Sequence, residues 1–503
     1  MVQRQANFST AGNCKRESSG SAFRVGDIAH NSDHIVGLPG VCGKQWRLQR
    51  KISFARMLVC THEREPFGAP MCAHLQTCRE PWIKYVKWYI GSGLATELLC
   101  VPCAERREQG LPVAVESVCE ECFEYATTEV CDLVRTGGKP EIRIRPETFN
   151  GALKETAMAS ELGTIVDIAP VYQDSLSLWL ILTDDCRLIR FDADTSELTH
   201  IGSTDLQPEP PHKSWSGPNP RKRLHASRNG AFIAVVNDYG RYGQVIDARS
   251  GKLTMSLDGG DYYPGTVPLS FTFADLHGRV IAIHRTAWNR LDVSDPATGK
   301  LLTDRSPTSY RSGEERPEHY LDYFHGALYV SPNGTHILDD GWVWHPIGIP
   351  TAWSLERWIS DNAWESEDGP TRLLLCGRSY YWDHAVAWLD ESRVAIGGIG
   401  DDDNEIIDGA LIFEVTSPAG PTGRWRADLR GAREVTAFPG PGGTFFSDGK
   451  CLFSSDEMGL ARWDTQSGER TGHLEGFRPT HHHRGASELV QLNDRTLTRW
   501  RIT

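Results

Sequence analysis

The stretch "LARWDTQSGERTGHL" (460–474) decides how the chain is read. An apolar strand ends on Trp-Asp, a few polar residues carry a Gly, and a second strand follows. The same sense recurs in "QVIDARSGKLTMSL" (244–257) and "RLDVSDPATGKLLTD" (290–304). It returns in a weaker copy, "IRFDADTSELTHI" (189–201), and an expanded one, "ALIFEVTSPAGPTGRWRADL" (410–429). An element from earlier in the unit also repeats. "HASRNGAFIAVV" (225–236) and "YVSPNGTHILDD" (329–340) each place a Ser and a short Asn-Gly turn before a strand. Asn-Gly supplies the positive φ of a tight hairpin, and the Asp accepts hydrogen bonds from the N–H groups of the next turn. The repeated unit is a four-stranded blade, which leaves apolar faces exposed until neighbours stack on it.

On these segments the chain resembles the WD40-like β-propeller superfamily over residues 141–503. "ARWDTQSGE" (461–469) stands nearest to that signature, and regular Gly-His dipeptides are missing. The resemblance implies a mainly β fold with about seven blades. Their segments are 165–202, 223–260, 267–305, 325–360, 380–430, 434–477 and 479–503. The last is too short for four strands, so "EIRIRPETF" (141–149) is expected to supply its outer strand and close the ring between the two ends. Two Pro-rich segments, 205–223 and 306–319, read as long loops.

Length and composition agree. The chain has 503 residues with 48 Gly, 28 Pro and 16 Trp, which suits a turn-rich β protein of more than one domain. A net charge of -13 argues against broad binding to nucleic acid or an anionic membrane. The basic "NPRKRLH" (219–225) reads as a solvated loop. With no apolar run long enough to span a bilayer and no leader-like apolar core, the expected location is cytoplasmic.

The chain carries 13 Cys, and ten precede residue 132. In a reducing compartment that clustering means metal rather than disulfides. Cys100-x2-Cys103 and Cys119-x2-Cys122 stand fifteen residues apart, a zinc-site spacing whose four thiolates close a tetrahedral shell of structural Zn2+. A helix is expected from Cys119, carrying Phe123, Val130 and Val134 and ending at Gly137-Gly138. Knuckle and helix together resemble a treble-clef zinc finger over 71–135. Cys72 and His74 either interleave with one of the later pairs, as in cross-brace folds, or begin a second site that Cys60, His62 or Cys78 joins. Cys131 is expected mid-helix, and Cys186, Cys376 and Cys451 in strand cores. The expected domains are a tail or mis-assigned start over 1–70, a zinc module over 71–135, a linker and closing strand over 136–150, and the propeller over 151–503.

Other clusters invite bland readings. "HHHR" (481–484) reads as a loop, because neighbouring side chains of an extended segment face opposite ways. "GDDDNEIIDG" (400–409) lacks the spacing of a calcium loop and reads as a solvated hairpin. Trp342, Trp344, Trp353, Trp358, Trp364, Trp382 and Trp388 read as packing between blades. No G-x-S-x-G, Walker A or H-E-x-x-H motif is present. The expected function is a non-catalytic scaffold that binds other proteins or peptides. The rival is a hydrolase or lyase with His284, Asp322, His325, Asp383 and His384 converging in the propeller channel.

Overall fold

The computed structural model describes residues 67–502 except 77–82, 92, 125, 128–130, 146–148, 150, 212–216, 307–309, 311–312, 345 and 422–429. The expectations for residues 1–66, with Cys60 and His62, and for Cys78 lie outside the described residues.

A small α+β module comes first. Strands β1 (Phe67–Cys72), β2 (Ile83–Tyr89), β3 (Thr96–Cys100), β4 (Val115–Val118) and β5 (Cys131–Gly138) form one sheet in the order β4-β1-β3-β2-β5. Short helices α1 (Ala73–Gln76), α2 (Val101–Glu108) and α3 (Glu120–Glu124) lie between them. Met71, Leu75, Val86, Leu98, Leu99, Ala104 and Val118 bury a core of the module's own. Residues 67–70, expected in the tail, belong to β1. Two further expectations are overturned. The segment from Cys131 is a strand, pairing in parallel with β2, and the helical residues described after Cys119, α3 and then Ala126 and Thr127, stop short of it. Its glycines do not end a helix: a Cβ at Gly137 would stand 2.5 Å from the Trp88 ring, so the two glycines let that indole lie over the strand.

The rest is a seven-bladed β-propeller. Four-stranded sheets span 165–203, 221–258, 444–475 and, for the last blade, 481–501 together with strand β6 (Lys154–Ala157). The third blade, 271–294, has three strands plus a bridge from Ser294 to Leu301. The fourth and fifth blades, built on 324–374 and 386–439, join through a parallel contact between Leu374 and Gly431. The first strands of successive blades touch from Ile165–Val171 round to Thr444–Ser447, and His481–His483 touches Ile165–Val171 again, so the ring closes.

The closing strand is not 141–149. β6 pairs with Thr496–Arg501, Thr156 facing Leu497. The earlier stretch instead lies along the outer edge of the sixth blade, through a parallel bridge between Ile144 and Arg470. The Phe149 ring then stacks on Trp500 at 4.8 Å and fills the space over Gly472.

The repeated residues do what their chemistry dictates. Asp464 Oδ1 accepts from the N–H groups of Gln466 at 2.9 Å and Ser467 at 3.0 Å; Asp192, Asp247 and Asp295 act alike in their blades. The Ser227 and Ser331 hydroxyls donate to Asn229 and Asn333 and accept from the N–H groups of Phe232 and His336. Gly230 and Gly334 have φ of 68° and 77°. Among the described residues, no helix is long and apolar enough to cross a membrane.

Candidate metal centre and channel

The module's chemistry gathers where β1 and β3 end side by side. Cys72 closes β1, Cys100 closes β3, and their strands run parallel, with Met71 opposite Leu98. His74 follows two residues after Cys72, in α1, and Cys103 lies in the first turn of α2. The four donor atoms all lie within 4.8 Å of one another. Cys103 Sγ stands 3.2 Å from His74 Nδ1, and the Cys100 N–H donates to Cys72 Sγ at 3.3 Å. The three sulfurs are buried, while the imidazole reaches the surface. Burial first, then the neighbouring Cys100 and Cys72 sulfurs, push the Cys103 thiol up to about 12. Three thiols crowded against an imidazole, with an N–H and a helix N-terminus aimed at sulfur, form a set able to bind a metal ion. The donor chemistry therefore fits.

Cys119 and Cys122, expected to share an ion with Cys100 and Cys103, fall outside this group. Cys119 is buried before α3, and Cys122 is half-buried within it. Cys131 begins β5. Cys186 sits in a turn at φ 67°, not in a strand core, and accepts from Lys222 Nζ at 2.8 Å. Cys376 is half-buried just beyond a short strand, Leu373–Leu374, its thiol pushed up to about 11 by burial, and half-buried Cys451 opens a strand.

The propeller's channel holds a cavity of about 320 Å³. None of His284, Asp322, His325, Asp383 or His384 lines it. The three histidines are buried instead, His284 and His325 on blade strands and His384 in the connection to the fifth blade. His284 Nε2 meets the Ser294 hydroxyl at 2.9 Å, His325 Nδ1 pairs with Asp339 at 2.5 Å, and His384 Nδ1 pairs with Asp340 at 2.6 Å. Asp383 accepts from the Tyr239 hydroxyl, and burial raises its carboxyl above the ordinary range.

Other polar groups do line the cavity. Asp167 accepts from the Leu224 N–H at 2.8 Å and lies 3.3 Å from His481 Nε2. Arg223 pairs with Asp238 at 3.1 Å, and burial with the Arg223 charge pushes His225 down to about 3. Two local patterns carry this signal. "RKRLHA" is the first strand of the second blade rather than a loop, and its alternation puts Arg221, Arg223 and His225 on one side. "HHH" is likewise a strand: His481 and His483 share one side against the Trp179 ring, His481 facing Asp167 and His483 meeting the Leu178 carbonyl at 3.0 Å, while His482 turns the other way to Phe446.

Comparison with known proteins adds little beyond these contacts. No family model matches the chain, and no curated protein matches it. Among solved structures, a chain of "Crystal Structure of Mitotic Checkpoint Complex" is similar at 12% identity and a TM-score of 0.39, over 72% of this chain and 94% of that one. "Structure of U3-55K" is similar at 10% identity and a TM-score of 0.42, over 71% of this chain and all of that one. The propeller assignment rests on the strand ladders.

Proposed function

We propose that this chain is a non-catalytic interaction protein, a propeller platform carrying a structural zinc module. The observation that carries the reading is the fate of the five residues nominated for catalysis: none lines the channel cavity, and the three histidines are buried away from it. A ring of loops on a rigid scaffold suits recognition of proteins or peptides. In the module, Cys72, His74, Cys100 and Cys103 would hold one Zn2+ in a closed shell, which supplies order rather than reactivity.

The module is seated on the propeller. Lys87 of β2 pairs with Glu405 at 3.1 Å, in the loop expected to be only a solvated hairpin. Although burial alone lowers it, the Glu405 and Asp401 carboxylates hold the Lys87 ammonium above its ordinary value. Affinity capture with and without the module tests the platform reading. Loss of partners with the module places recognition on both parts, retention leaves the propeller as the surface, and no partner in either form defeats the reading. One specific observation favours the rival enzyme: Asp167, Arg223, His225, Asp238 and His481 meet around the cavity. Turnover of any hydrolase or lyase substrate that is lost in Asp167→Asn, with the fold intact, would establish it.

A further inference from the structure

The Trp-rich zone divides in two. Trp353, Trp358 and Trp388 are buried at 1–3% exposure and pack blades together. Trp342, Trp344 and Trp382 do something else. Trp342 stacks between Phe324 at 4.3 Å and Trp382 at 5.0 Å. Trp288 leans on Phe324 at 4.6 Å. On this base stand three exposed rings: Tyr262 at 43%, Tyr263 at 36% and Trp344 at 38%. They meet almost at right angles, Tyr262 to Tyr263 at 88° and Tyr263 to Trp344 at 85°. A continuous aromatic surface of this kind on a water-soluble face marks an interaction site. One buried polar atom beneath it, Trp342 Nε1, has no hydrogen-bond partner among the described residues.

The topology places this surface. In a blade whose antiparallel strands follow in order, the loops after the second and fourth strands leave from the same end. Tyr262 and Tyr263 follow the fourth strand of the second blade, Trp288 and Trp344 lie between second and third strands, and Trp382 precedes the fifth blade. The Asp401–Glu405 loop, which seats the module, lies between the second and third strands of the fifth blade. The connection is continuous, because Ser379, three residues before Trp382, donates its N–H to the Asp401 carbonyl at 2.8 Å and bridges to Asp402. Several carboxylates lie at this end. Asp322 acts on both Tyr262 and Tyr320, Asp261 follows Asp258 in the same loop as Tyr262, and Asp401, Asp402 and Asp403 lie beyond Trp382.

We propose that this aromatic corner, with Asp261, Asp322 and the 401–403 loop at the same end, docks a peptide segment by a lysine side chain. The assignment rests on the platform reading above and names its contact surface. Ring faces are electron-rich and attract a cation, and walls at right angles suit a compact, round ammonium better than the flat guanidinium of arginine, which stacks in parallel. The carboxylates supply longer-range attraction of the same sign.

Anisotropy of a fluorescein-labelled dodecapeptide of alternating Gly and Lys, titrated with the full chain, tests it. Saturable binding is expected, weakened about tenfold in the double variant Tyr263→Ala/Trp344→Ala, where two exposed cation–π contacts are lost. Asp322→Asn should weaken it less, and Glu197→Gln, in a loop at the opposite end, should leave it unchanged. A Gly–Glu peptide should not bind. The proposal is overturned if the Lys peptide fails to bind, if the double variant binds equally well, or if Glu197→Gln costs as much. It is also overturned if sedimentation shows self-association that the double variant abolishes, which would make a second copy the occupant. If affinity capture still retains partners while the peptide ignores these rings, the platform reading stands and this assignment falls.

Discussion

Asp464 shows how one carboxylate sets a repeat. Two backbone N–H bonds, from Ser467 and Gln466, and the Arg145 guanidinium at 2.8 Å hold its carboxyl below the usual carboxylate range. Asp247 is lowered likewise by the Ser250 hydroxyl and N–H. A group whose folded value lies below its unfolded value contributes stability above the unfolded value, near pH 4, and loses it as pH falls through the folded one. Asp464→Asn should therefore lower stability by about 1 kcal/mol at pH 7. By denaturant titration, its difference from wild type should shrink as pH falls below the ordinary carboxylate value. A difference that persists in acid would mean that the turn bonds do not depend on the charge. The metal ligands separate at the same scale. Chelator-resistant zinc, counted by elemental analysis, should fall by one ion in Cys103→Ser. Cys119→Ser should leave that ion in place, because its sulfur lies outside the group of four. Equal losses in both variants would restore the four-thiolate set that spacing alone suggested. Spacing could not separate them: Cys-x2-Cys counts residues along the chain, whereas the group of four forms because β1 and β3 run parallel across 28 residues.

At the scale of elements, the blades were legible because their turns are chemically strict. Asn333-Gly334 needs a positive φ, and a Cβ at Gly334 would stand 2.5 Å from the Asp275 carbonyl of the preceding blade. Gly334→Ala should thus destabilise by about 1–3 kcal/mol, read as a fall in denaturation midpoint, whereas Gly278→Ala, with open space at its Cβ and a similar φ of 77°, should cost less. Equal costs would assign the whole effect to φ and none to the neighbouring blade. Elements without such turns were read less well. Phe123, Val130 and Val134 mimic a helical period, yet Val134 lies on a strand whose partner, β2, is some fifty residues earlier in the chain. A parallel pairing of that span leaves no local mark. The basic "RKRLHA" and the triple His were hidden for a related reason. Inner strands facing a wet channel carry polar side chains, so composition imitates a loop, and only the alternation of Arg221, Arg223 and His225 betrays the strand.

For the whole molecule the decisive event is closure, and one side chain gathers it. Arg499, 2% exposed, lies in the last strand but one of the seventh blade. Its Nη1 pairs with Asp194 of the first blade at 3.0 Å and with Glu488 of its own blade at 3.3 Å; its Nη2 donates to the Ala193 carbonyl at 2.8 Å. Glu488 in turn accepts from the Ser177 hydroxyl of the first blade at 2.8 Å, and the Thr156 hydroxyl of β6 donates to the Ala193 carbonyl. The guanidinium is therefore a clasp between the final blade, the first blade and the strand that completes the ring. Breaking a buried pair leaves an uncompensated charge and costs about 3–5 kcal/mol. Arg499→Ala leaves Glu488, 5% exposed, with only the Arg501 guanidinium at 3.9 Å as a cation. The loss should concentrate at the seam, where β6 is held by one short ladder to Thr496–Arg501. Hydrogen exchange followed by mass spectrometry should show faster exchange in 154–157 and 496–501, with 232–247 of the second blade unchanged. Acceleration spread evenly over all seven blades would show that the ring unfolds as one unit and that Arg499 has no special hold on its closure.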